Sequence, residues 1–195
     1  MKGRGLAAAA AAIAAAGAAC GQTITYFWTV TTDNGDTDIG PGEDSAYLSL
    51  WAHMAPEATG IAGSIYDIRG IENWDTGEIT SYSHLLSAFG EVSIQSNNDI
   101  VFIESFQLPP AFNRNFDASN PVELFRITWT ASDFSARTVE LGDANHLNND
   151  VYTDEFGSSV PYEGVPGVAE FTIAIPGPGG LLLLGLGALG RRVRR

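Results

Sequence analysis

The sequence predicts an all-β fold, an antiparallel β-sandwich of jelly-roll or immunoglobulin-like type, flanked by an N-terminal signal helix and a short C-terminal apolar helix. Three observations carry that expectation. Short β-rich runs with period-two alternation recur along the middle of the chain, stretches rich in Asp, Asn, Gly and Pro separate them, and no long segment between the termini repeats apolar residues at helical spacing.

The first run, QTITYFWTVTT (22–32), places Ile24, Tyr26, Trp28 and Val30 on one face, with Thr23, Thr25, Phe27, Thr29 and Thr31 on the other. AYLSLWAHM (46–54) repeats the pattern, with Leu48, Leu50, Ala52 and Met54 opposing Tyr47, Ser49, Trp51 and His53. IAGSIYDI (61–68) and IVFIESFQL (100–108) read as strands, the second preceded by VSIQ (92–95) across an SNND turn. VELFRITWT (122–130), ARTVEL (136–141) and AEFTIAI (169–175) complete seven or eight strands. SYSHLLSAF (81–89) alone looks helical, as one or two turns inside a connection. The segments 107–121 and 141–164 read as loops, and Pro109 and Pro110 mark a strand end.

Charge narrows the partners. The 195 residues carry a formal charge of -13, yet all 23 acids lie between Asp33 and Glu170, opposed there only by Arg69, Arg114, Arg126 and Arg137. The middle segment therefore stands at -19 with no lysine. Such a body repels nucleic acid and anionic lipid and favours solubility and cations. With Cys20 as the only cysteine, it must also hold together without a disulfide.

The termini read as addresses. Lys2 and Arg4 precede an uncharged apolar run of 14 residues, Leu6 to Ala19, and small residues at 17 and 19 suit signal-peptidase cleavage, so residues 1–20 are a signal peptide. Cys20 follows Gly-Ala-Ala without the leucine of a lipoprotein signal, which argues against its lipidation. At the other end, Gly179 to Gly190 is 12 residues of helix-compatible apolar sequence. At about 1.5 Å per residue it spans about 18 Å, short of a hydrocarbon core of about 30 Å. Pro176, Gly177 and Pro178 interrupt any extension backwards, and Arg191, Arg192, Arg194 and Arg195 form a cytoplasmic stop. Residues 21–174 are then one exported β-sandwich domain and 175–195 a terminal signal.

This order of Pro-Gly-Pro, short Leu/Gly helix and arginine cluster resembles the C-terminal sorting signal of PEP-CTERM proteins, with Gly177 where that family has glutamate. The resemblance implies export, a transient membrane anchor through the C-terminal helix, processing by an exosortase-like enzyme, and residence in the cell envelope or extracellular matrix. The segments 60–79, 97–113 and 143–157 together resemble exported proteins bearing the same class of signal, and that likeness brings no activity with it.

Chemistry is sparse by comparison. In TDNGDTDIGPGEDS (32–45), Asn34, Asp36 and Asp38 alternate oxygen donors that, with Glu43, form a candidate calcium site. The loop fails as an EF-hand, having Ile39 where glycine belongs and Ser45 in place of the final glutamate. It resembles the Asp/Gly-rich turns that precede the second strand of many secreted bacterial sandwich modules, and a solvated acidic turn is the competing reading. A second acidic stretch, Asp143, Asn145, Asn148, Asn149, Asp150, Asp154 and Glu155, is a weaker cation candidate. His53, His84 and His146 fit no zinc spacing, and no nucleophile elbow or phosphate loop occurs.

Aromatic residues are the remaining candidates for ligand contact. Trp28 and Trp129, set in strand patterns, read as core; Trp51, Tyr47 and Tyr66 can offer flat faces to sugar rings; and Trp74, among turn residues, is the best candidate for an exposed one. The function expected is a structural or binding role in the envelope or matrix without catalysis, with a polysaccharide matrix as a possible partner. The alternatives are a carbohydrate-binding or cohesin-like interaction module and, second, a secreted hydrolase built on a carboxylate pair.

Overall fold

A computed structural model describes residues 22–40, 42–86 and 92–174; the signal peptide, Cys20, Pro41 and the whole sorting signal from Pro176 to Arg195 lie outside these. Strands β1 (Thr23–Thr32), β3 (Ser45–Met54), β5 (Gly77–His84), β8 (Val122–Ala131) and β11 (Glu163–Val165) form one sheet in the order β11-β1-β3-β8-β5. The other runs β2-β12-β9-β4-β7-β6, from β2 (Asp38–Ile39), β12 (Val168–Ile173), β9 (Arg137–Tyr152), β4 (Gly60–Glu72), β7 (Ile100–Phe106) and β6 (Ser93–Ile94), with β10 (Ser159–Pro161) added to β9. The sandwich is mainly antiparallel, but β1 with β11 and β2 with β12 pair in parallel.

Alternation decides what lies between the sheets. Ile24, Tyr26 and Trp28 of β1 and Leu48, Leu50, Ala52 and Met54 of β3 are buried, meeting Ile61, Ile68, Val139, Leu141 and Phe171 of the second sheet in one core. Trp28 and Trp129 are core residues, as expected.

Trp74 overturns its expectation: it is 1% exposed. A one-turn 3-10 helix, Trp74–Thr76, drives the indole between the sheets, where it stacks on Trp129 with ring centroids 5.9 Å apart. Trp129 in turn meets the edge of Phe171. The Trp74 indole N–H donates to the Asn98 carbonyl, and Asn98 returns its amide to the carbonyls of Trp74 and Gly77. A Cβ on Gly77 would lie 2.2 Å from the Trp129 ring, so glycine is required there by space.

Two other expectations change. Residues 81–84 extend β5 instead of starting a helix, because Tyr82 stacks on Phe125 (centroids 5.7 Å, planes 6° apart) and the Leu85 amide bonds the Leu124 carbonyl. Pairing with β8 overrides the local leucine spacing. The expected loop from 141 is strand as far as Tyr152, paired along β4 with register shifts at Ile61/Gly63, Ile65/Asp67 and Gly70/Glu72. Those bulges absorb a sequence too rich in Asp and Asn to read as a regular strand.

Asp67 organises the irregular middle of that sheet. Its carboxylate accepts from the Phe102 amide, the Asn145 side chain and Arg69, at 2.8, 2.6 and 2.7 Å. Phe102 (φ 60°) and Asn145 (φ 53°) are both left-handed. Burial pushes the Asp67 pKa up, but these donors outweigh it and hold the group below its ordinary value.

Gln22 and Ala174 leave the sandwich at opposite ends. The far end of β1, at Thr32, turns into β2, which pairs with the last residues of β12, whereas Gln22 sits about ten residues, or about 33 Å, away.

Two outcomes follow from this packing. Burial lowers the pKa of His84 from 6.5 to about 4, its Nε2 facing Ser105 Oγ at 3.1 Å while its Nδ1 is buried without a partner among the described residues. Neutral His84 is favoured by folding, so its contribution is complete above pH 6.5 and declines as the pH falls from 6.5 towards 4. Urea melts across that window should show stability falling with pH, and His84→Gln should flatten the slope. Separately, Glu72, Glu140 and Glu170 lie directly opposite one another on β4, β9 and β12. Glu140→Gln should therefore raise unfolding stability by about 0.2–1 kcal/mol, an increment that shrinks in high salt.

Candidate functional site

The outer face of the five-stranded sheet is laid out by strand register. One row across the sheet holds Phe27, Trp51 and Glu123; the next holds Thr29, Ser49, Arg126 and Ser83; the third holds Thr31, Tyr47, Thr128 and Ser81. Opposite-facing neighbours such as Trp28, Leu50 and Ile127 are buried, so these rows face outward. Phe27 and Trp51 stack with centroids 6.4 Å apart and planes within 13°. The Trp51 indole N–H donates to Thr29 Oγ1 at 3.1 Å, which sets the angle of the ring.

Hydroxyls elsewhere on the face bond across strands. Ser81 donates to Thr128 at 2.9 Å, and Thr130 lies 3.0 Å from Ser45 and 3.2 Å from Thr80. Arg126 grips Glu123 through two nitrogens, at 3.0 and 2.6 Å. The Tyr47 hydroxyl donates to Asp33 at 2.6 Å, and that carboxylate raises the phenol's pKa.

Between the sheets runs a buried polar seam that sequence inspection passed over. The Asp143 side chain is fully buried; one oxygen accepts from the Trp28 indole at 3.1 Å and the Gly167 amide at 3.0 Å, the other meets His146 Nε2 at 2.7 Å. Tyr26 donates to Asn149 at 2.5 Å and lies 2.7 Å from Ser64. Burial raises the pKa of Tyr26 and of Tyr66. Ser64, His146 and Asp143 thus share one region, but among the described residues no hydrogen bond joins Ser64 to His146. Spacing hid the pair, because residues three apart on a regular strand face opposite ways; the left-handed Asn145 resets the alternation between them.

The candidate calcium loop is brought together, with its oxygens turned to other work. Buried Glu43 accepts from the Asn34 amide (2.7 Å), the Gly40 amide (2.7 Å) and the Thr32 hydroxyl (3.2 Å). Asp36 takes the Thr32 hydroxyl and the Asp38 amide, while Asp38 accepts from Thr172 and so ties the loop to β12. Among the described residues, no three His, Cys, Asp or Glu side chains are placed to hold a metal ion. In the second acidic stretch, Asp143, Asn145 and Asn149 point to the partners already described, and Asp154 caps the amides of Phe156, Gly157 and Ser158. His53 is exposed on β3.

Of the aromatics singled out, Trp28, Tyr66, Trp74 and Trp129 are buried, whereas Tyr47 is 40% exposed and Trp51 is partly exposed. Phe27 joins them and was legible as the one apolar residue on the threonine face of β1.

Replacing Glu43 by alanine strips the Asn34 and Gly40 amides of their acceptor, while the Thr32 hydroxyl keeps Asp36, and should cost about 1–3 kcal/mol. Thermal melts of Glu43→Ala should show the same loss in calcium and in chelator if the carboxylate serves the loop alone.

No protein-family model matches the sequence, and comparison with curated proteins finds no match. Solved structures do resemble the fold. The seventh ScaB type I cohesin of Pseudobacteroides cellulosolvens aligns over 79% of this chain and 91% of its own, with 12% identity and a TM-score of 0.50. A non-cellulosomal cohesin of Archaeoglobus fulgidus aligns over 83% and 97%, at 12% identity and a TM-score of 0.45. A cohesin module of a Clostridium perfringens family 33 glycoside hydrolase aligns over 77% and 96%, at 10% identity and 0.46. What the chain has in common with cohesin modules is therefore the β-sandwich fold.

Proposed function

We propose that this chain is an exported, non-catalytic binding module of the cell envelope or extracellular matrix, acting through the outer face of its five-stranded sheet. The single observation that carries this reading is the segregation of its polar chemistry. Inside and at the loops, Asp143, Asp67, Glu43 and Asp154 are each engaged by several donors of the fold itself. The outer face of β1, β3 and β8 instead offers rows of hydroxyls and an aromatic pair. Such a surface suits binding better than turnover, which needs a convergent cleft. The cohesin-like sandwich supports the same class of role, an interaction module, at the level of fold.

The address belongs to the termini. The N-terminal signal directs export, and the Pro176-Gly177-Pro178 motif with Arg191, Arg192, Arg194 and Arg195 halts the chain for an exosortase-like enzyme. Calcium at Asn34, Asp36, Asp38 and Glu43 is not needed for this role.

Two measurements test the proposal. Intact-mass analysis of envelope material should find a chain that begins near residue 20 and lacks the arginine cluster; retention of Arg195 would exclude sorting. Placing charge on the face with the double variant Ser49→Glu, Thr128→Glu should release at least tenfold more folded protein from the envelope than wild type does. Equal retention of the two would remove the face from the function.

A further inference from the structure

The ligand of this face can be argued from its charge and its side-chain chemistry, granted the reading above that the face is the binding surface. The body carries -19 between Asp33 and Glu170. The three central outward rows of β1, β3, β8 and β5 hold one acid and one base, Glu123 and Arg126, which neutralise each other at 2.6 Å; Glu78, opposite Thr130, and Asp33, beside Tyr47, stand at the border of the face. The opposite sheet presents Glu72, Glu140 and Glu170 side by side. A cationic partner would be drawn to that second sheet, and a polyanion would be repelled by the body while finding only a guanidinium already paired. The centre of the face is matched in charge by an uncharged partner, and the acids at its border turn polyanions away.

Its chemistry narrows the class further. Thr29, Thr31, Ser49, Thr128, Ser81 and Ser83 fill half or more of the outward positions. Ser and Thr are under-represented among the residues that dominate protein–protein binding. Hydroxyls both donate and accept and rotate to suit, which complements a partner made of hydroxyls. Phe27 and Trp51 add near-parallel rings, an apolar strip for the C–H face of a ring-shaped ligand. The indole is held in place by Thr29 before any ligand arrives, so little ordering remains to oppose binding. Four strands about 4.8 Å apart give a platform about 14 Å across, wide enough for an extended chain to lie along.

We infer that the outer face of β1, β3, β8 and β5 binds an uncharged polysaccharide, with the Phe27–Trp51 pair stacking on a sugar ring and the flanking hydroxyls bonding its neighbours.

The test is native affinity electrophoresis of the full chain in mild detergent, through gels containing hydroxyethylcellulose, glucomannan, galactan or dextran, with polygalacturonate as the charged control. At least one neutral polymer should retard the chain and polygalacturonate should not. Trp51→Ala and Phe27→Ala should each weaken that retardation at least tenfold. Thr29→Val, which frees the indole without removing it, should weaken it about threefold or more, and Phe102→Ala, on the other sheet and 59% exposed, should leave it unchanged. Circular dichroism of each variant confirms the fold. Absence of retardation in all four neutral polymers, equal retardation by polygalacturonate, or retardation indifferent to Trp51→Ala would overturn the inference. If the polymers fail while Ser49→Glu, Thr128→Glu still releases the protein from the envelope, the ligand class falls and the binding face stands; if neither has an effect, both fall.

Discussion

The constraint on which this structure turns is that carboxylates and hydroxyls sealed between two sheets must find partners there. Asp143 is the sharpest case, a carboxylate with no exposed side-chain surface. Left alone it would cost several kcal/mol, and it avoids that penalty by accepting from groups in both sheets. The Trp28 indole reaches it from β1, the Gly167 amide from the turn before β12, and His146 from its own strand. Tyr26, Ser64 and Asn149 repeat the device one step along, again bridging β1 to the second sheet. Apolar packing alone tolerates sliding of one sheet over the other; paired hydrogen bonds across the gap do not. The seam therefore fixes how the sheets sit, and with them which side chains of β1 and β3 face outward.

Much of this was readable in the residues and some was not, for reasons that can be named. TITYFWTVTT and SAYLSLWAHM announce themselves because one side of each is covered and the other is wet, so burial and alternation coincide. Trp74 misled because its neighbours are turn formers, which suggested an exposed indole; what buries it is the space left beside it by Gly70 and the stack on Trp129 of β8, a partner distant in sequence. The strand through Asp143 and Asn149 was hidden because β-bulges accommodate residues that ordinarily mark loops. The stretch after Tyr82 failed in the opposite sense, its leucines mimicking a helix while its backbone paired with β8. At the candidate site, the threonine face of β1 was visible from the start, but its alignment with Trp51 depends on register with β3, which no single segment encodes.

The distribution of charge is as informative as the fold. Acids that are structural are satisfied one by one by amides and hydroxyls, whereas on the second sheet Glu72, Glu140 and Glu170 stand side by side. The central rows of the first sheet carry only the paired Glu123 and Arg126, and hydroxyl side chains keep them wettable without net charge. One body thus carries two surfaces of different character, one that keeps the molecule dispersed and one able to approach a neutral partner closely.

The departure of Gln22 and Ala174 from opposite ends of the sandwich has a mechanical meaning. A chain held at its C-terminal side and loaded by something gripping the β1 face would be pulled along its strands. Residues of β12 lie between β2 and β9, so such tension runs across the hydrogen bonds of both neighbours at once and shears them together instead of unzipping them singly. Geometry of this kind raises the force needed to strip the C-terminal strand from its sheet.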